Sequence, residues 1–136
     1  MCSSDLGNYT DSANHDQAFV VSEVNGTWGT AIEVPGSAAL NAGGSAGISS
    51  ISCASVGNCA AGGSYTDSSH HTQAFVASEV NGTWGNAIEV PGSGTLNAGG
   101  SAFVEAVSCP TAGHCTASGI YKDGSGHQQG FLVSQT

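Results

Sequence analysis

The stretch "QAFVVSEVNGTWG" (Gln17–Gly29) returns as "QAFVASEVNGTWG" (Gln73–Gly85), with Val21 exchanged for Ala77. Asn25-Gly26 and Asn81-Gly82 are strong two-residue hairpin signals, because a type I′ turn needs positive φ at both central residues. Ahead of the second turn, Ala74 and Val76 alternate with Phe75 and Ala77, so the strand is apolar on both sides. That pattern fits a sheet covered on both faces. Trp28 and Trp84 open the returning strand, where an indole can wedge between packed sheets.

The recurrence extends well beyond the hairpin. With an offset of 56 residues, Gly7–Gly62 matches Gly63–Ser118 without a gap, and about two-thirds of the positions are identical. A third copy runs from Gly119 to Thr136, keeping Tyr121 in the column of Tyr9 and Tyr65 and Phe131 in that of Phe19 and Phe75. Each unit reads as four short strands. In the second unit these are a (Gly47–Cys53), b (Cys59–Thr66), c (Gln73–Val80) and d (Thr83–Val90). Strand d alternates, which predicts Trp84, Asn86, Ile88 and Val90 on one side. No segment shows a helical period with caps. The linkers are turn chemistry, including "DSSHHT" and the longer "PGSGTLNAGGSA".

The fold expected is therefore all-β: tandem four-stranded antiparallel blades of about 56 residues, an incomplete, open β-propeller. A compact β-sandwich is the alternative. A closed propeller needs roughly four to eight blades, so a piece of a longer tandem array is favoured over a ring assembled from several chains. Residues 1–6, "MCSSDL", resemble a translated sequencing adapter and are set aside from residues 7–136, leaving repeats over 7–62 and 63–118 and a partial one over 119–136. Any export signal would then be lost.

Composition narrows the function. The 136-residue chain has 21 Gly, one Lys and no Arg, and a formal charge of -9, which argues against nucleic acid or an anionic membrane as partner. No apolar run approaches a membrane span.

Two residue groups carry chemistry. Cys53 and Cys59 flank a five-residue turn, as do Cys109 and Cys115, between strands a and b. A hairpin there brings Cβ atoms within disulfide range, and paired disulfides favour an exported protein. A metal site using His70, His71 or His114 is the rival, but the spacing of the four thiols is not that of a zinc site. The second group is a repeated polar loop between strands b and c, with Asp11, Asp67 and Asp123 in one column and His15, His71 and His127 in another. It could contact a sugar or a cation, but duplication of a plain turn is the favoured reading.

Catalysis finds no support. A glycosidase needs individually placed carboxylates, whereas Glu23/Glu79 and Glu33/Glu89 are copies; only Glu105 (Ser49 in the other copy) and Asp16 (Thr72) stand apart. No G-x-S-x-G elbow is present. Neither a cofactor nor a metal is implied.

The turn "SEVNGTW" resembles a degenerate Asp-box, the hairpin motif of sialidase-like propellers, in its Ser, Gly and Thr-Trp, though it lacks the Asp and places Gly directly before Thr. The whole unit, "VSCPTAGHC…Y…F…TW", is similar to bacterial secreted propeller repeats with paired cysteines, over Gly7–Thr136. In a bacterial chain the Asn-Gly-Thr sequon is incidental. An up-and-down blade puts the a–b and c–d turns at one end and the b–c and d–a connections at the other. The resemblance implies that ligands bind on the second face. The expectation is a non-catalytic extracellular or cell-surface binding or scaffold module. Its ligand would be carbohydrate or protein, its contacts Asp67, His71, Asn97, Asp123 and His127, and its neighbours the remaining blades of a longer parent chain. The alternatives are a piece of a sialidase-like or other propeller hydrolase with its catalytic residues in missing blades, and a purely structural surface repeat.

Overall fold

The computed structural model describes residues 3–136; Met1 and Cys2, part of the stretch set aside above, lie outside the described residues. Twelve strands and two one-turn helices make up the described chain. They form three antiparallel sheets in simple sequential order, none of them closed. The first holds β1 (Ser3–Thr10), β2 (Asp16–Val24), β3 (Thr27–Trp28) and β4 (Ile32–Glu33). After α1 (Ser37–Leu40) the middle sheet holds β5 (Ala46–Ser55), β6 (Asn58–Thr66), β7 (Thr72–Val80), β8 (Thr83–Trp84) and β9 (Ile88–Glu89). After α2 (Ser93–Leu96) the third sheet holds β10 (Ala102–Thr111), β11 (His114–Lys122) and β12 (Gln128–Ser134). The backbone of Ser3–Leu6 continues β1 and pairs with Val20–Glu23; main-chain pairing asks little of side-chain identity.

The middle sheet is covered on both faces, as the apolar character of β7 requires. Phe75 and Ala77 join Tyr65, Trp84 and Ala87 against Ala18 and Val20 of the first sheet and Val34 just after it. Ala74, Val76 and Val90 face Ala102, Val104 and Ala117 of the third. Side-chain hydroxyls stitch the second of these contacts. β10 pairs on one side only, with β11. The Val107 and Cys109 N–H groups donate to Ser50 Oγ (2.9 Å) and Ser52 Oγ (3.0 Å) of β5, and the Ser49 hydroxyl donates to the Val104 carbonyl. An edge strand is thus satisfied without a strand partner.

Cys53–Cys59 and Cys109–Cys115 are disulfide-bonded. Each closes a short loop, which places its entropic contribution at about 2 kcal/mol. The Asn-Gly turns take the type I′ signature, with φ of 51° at Asn81 and 81° at Gly82, and 52° and 78° at Asn25 and Gly26.

Strand d departs from the expected alternation. It is two short pieces, β8 and β9, each pairing with β7. Between them the Ala87 N–H donates to the Pro35 carbonyl of the preceding unit (2.7 Å) instead of continuing the ladder. That break shifts the pleat, so Trp84, Ala87 and Val90 are buried while Asn86 and Ile88 are exposed. The one-turn helices α1 and α2 are not legible in the sequence, because four residues are too few to display a helical period.

A β-branched residue at Gly82 would be held at φ +81°, so Gly82→Val should lower stability by about 1–2 kcal/mol. Urea denaturation checks this, and an unchanged midpoint would contradict the turn assignment.

Candidate functional site

The b–c loop is built in the same way three times. In the middle sheet, Asp67 Oδ1 accepts the N–H groups of Ser69 (2.8 Å) and His71 (3.0 Å), and its Oδ2 accepts Gln73 Nε2 (2.9 Å). Asp11 does the same with Ala13, His15 and Gln17, and Asp123 with Ser125, His127 and Gln129. The loop closes through a residue of positive φ in one column: Asn14, His70 and Gly126. Asp suits the position because its short carboxylate caps the turn it sits in. These bonds, that from the glutamine amide first, hold all three carboxyls below their usual range.

The network reaches further through the two d–a connections. Gln73 Oε1 accepts Asn97 Nδ2 (2.9 Å), which also donates to the Thr72 carbonyl (2.9 Å), while Asn97 Oδ1 accepts the Ser101 N–H (2.8 Å). Asn41 repeats the first two bonds with Gln17 and Asp16, and its Oδ1 accepts the Thr66 N–H of the next sheet (3.3 Å). "LNAGGSA" therefore clasps one sheet to the next. Gly43 N donates to the Thr66 carbonyl and Gly99 N to that of Lys122, each at 2.8 Å. A Cβ on Gly43 would stand 2.4 Å from Thr66 Cγ2, and one on Gly99 2.4 Å from Lys122 Cγ, so only glycine admits this approach.

The Asp-His loops and "LNAGGSA" thus share one face. On the opposite face the Asn-Gly turn leans on the cysteine turn, with Gly82 N donating to the Gly57 carbonyl (2.9 Å). Among the expected contact residues, Asp67, His71 and Asn97 meet in one network. Asp123 and His127 form the next, where His127 Nδ1 lies 3.9 Å from Asp123 Oδ2. Their roles differ. Both oxygens of Asp67 and of Asp123 are engaged by their own loops, and Asn97 is buried. His15, His71 and His127 are exposed on this face together with the other loop-tip residues, His70 among them. The glutamines that relay the network, Gln17, Gln73 and Gln129, were not singled out from the sequence; their one signal was a recurrent polar residue opening an otherwise apolar strand.

A second polar feature lies elsewhere. Glu79 is buried in the wall of a groove of about 290 Å³ between the first and middle sheets, beside Ser22, Thr30 and Trp84. Its Oε1 accepts the Ser22 hydroxyl at 3.5 Å, its Oε2 has no hydrogen-bond partner among the described residues, and burial pushes its carboxyl up. The same column holds Gln135, whose amide donates to Ser78 Oγ (3.3 Å). Of the two carboxylates without a copy, Asp16 accepts the Thr10 hydroxyl (2.8 Å) and Glu105 is exposed on β10. Among the described residues no three His, Cys, Asp or Glu side chains gather as metal ligands. No helix among them is long and apolar enough to cross a membrane.

No protein-family model matches this chain, and no curated protein matches it either.

The loop aspartates and Glu79 act on stability with opposite sign. Depressed folded pKa values mean that the Asp contribution is present above the unfolded value, about 3.9, and is lost as pH falls below it. The raised value of Glu79 means that its contribution is present below about 4.3 and is lost as pH rises through the folded value. Glu79→Gln should therefore match the wild type near pH 4 and exceed it by roughly 1 kcal/mol at neutral pH, since an amide ends the cost of a buried charge. Thermal melts across this range read the difference; equal curves at neutral pH would refute it.

Proposed function

We propose that the three sheets are consecutive blades of a β-propeller, and that the chain is a non-catalytic extracellular binding or scaffold module. Three features support the blade reading: the sequential antiparallel order of each sheet, a middle sheet packed on both faces, and the neighbouring strands β5 and β10. A two-layer sandwich has no place for a third stacked sheet. The two disulfides fit an oxidising compartment.

One observation carries the functional reading: in each unit the loop carboxylate accepts the backbone N–H of a histidine that is exposed on the same face. Catalysis by paired carboxylates needs them free and individually placed. A repeated array of exposed imidazoles on a fixed loop backbone suits a repetitive ligand instead, a carbohydrate before a protein. His71 and His127 are the contacts, Asp67 and Asp123 fix the loop backbone that carries them, and Asn97 ties that network to the following connection.

A glycan array probed with the wild type and with the double variant His71→Ala/His127→Ala tests this. Retention of intact glycan, reduced at least about ten-fold in the folded double variant, is the expected result; that is roughly 1.4 kcal/mol of binding free energy. Equal binding by the variant would remove the histidine face from the reading. Release of cleaved sugar would overturn the non-catalytic module.

A further inference from the structure

Repetition makes the two end faces of the stack complementary to one another. Within the chain, one kind of contact occurs twice: the Val20 face of the first sheet on the Phe75 face of the middle sheet, and the Val76 face of the middle sheet on the Phe131 face of the third. The outer face of the first sheet carries the columns of the Phe75 face, and the outer face of the third sheet carries those of the Val20 face.

Exposure marks what these columns do when covered. Tyr9 is 41% exposed where its counterpart Tyr65 is 4% exposed, and Trp28 is 48% exposed where Trp84 is 8%. On the other end Leu132 is 76% exposed in the column where Val20 is fully buried. Tyr9 and Phe19 already hold the tilted ring pair, 6.5 Å between centroids, that Tyr65 and Phe75 hold at 6.4 Å inside the stack. Polar columns agree as well: Ser134 and Glu23 stand where Ser22 and Glu79 meet across the first internal contact.

We infer that this chain binds a second copy of itself head to tail, the Leu132 face of one copy on the Tyr9/Trp28 face of the other. The contact is heterologous, using a different surface on each partner. Strands b and c of the third sheet meet b, c and d of the first, so the contact is smaller than the internal ones. This inference rests on the stacking of the sheets and is independent of any ligand on the histidine face.

Sedimentation velocity of the whole chain across the micromolar range should show concentration-dependent self-association. Leu132→Glu and Trp28→Glu, each checked for an unchanged thermal melt, should both be monomeric alone and should form a dimer when mixed, because the mixture retains one intact face of each kind. Tyr9→Glu repeats the test of the first-sheet face and should likewise be rescued by Leu132→Glu. A wild type that stays monomeric, a variant that dimerises alone through like faces, or an equimolar mixture that remains monomeric would each overturn the contact.

Discussion

Phe75 and Ala74 are neighbours in one strand and both are completely inaccessible, on opposite sides of the sheet. Everything else in the structure depends on that constraint. A strand that buries both faces needs a layer on each side, and here the layers are the preceding and following copies of the same unit. A single unit would leave both of these faces wet. The repeat is thus a physical requirement for the core as well as a record of duplication. Small residues follow from the same constraint, since Ala and Gly in β6 let the next sheet lie close.

Stacking alone leaves the angle between successive sheets loose, and polar groups restrict it. Serine hydroxyls on β5 take up the backbone of β10, while Asn41 and the glycines after it tie the end of one sheet to the beginning of the next. The Asp–Gln–Asn relay does double duty. It satisfies buried amide groups that would otherwise cost free energy, and it fixes the backbone of the loop that carries the histidines. Glu79 is the exception, a carboxylate in a position where the next copy has an amide.

Much of this was legible in the sequence because period and turn chemistry are local. Asn81-Gly82 could hardly be anything but a hairpin, and the doubly apolar "AFVA" demanded two covering layers. The cysteine pairs followed from the same strand map. The site was less legible. Asp67 and His71 read as a pair of exposed contacts, yet the carboxylate of Asp67 is spent on Gln73 and on two N–H groups of its own loop. No spacing rule shows which member of a polar loop faces inward. Gln73 passed unnoticed because its partners lie six residues back and twenty-four ahead.

By itself, the sequence determined the all-β class, the 56-residue unit, the hairpin and the positions of both disulfides. All of these are written in residues a few positions apart. Tertiary structure alone decided the break in strand d, where a bond from Ala87 to Pro35 outweighs an unbroken ladder, and the burial of Asn97 and Glu79. It also decided which tryptophan is covered: Trp28 and Trp84 lie in identical local sequences, and only contact with a neighbouring sheet separates them. Burial belongs to what packs against a residue, and no window of sequence around the residue contains that partner.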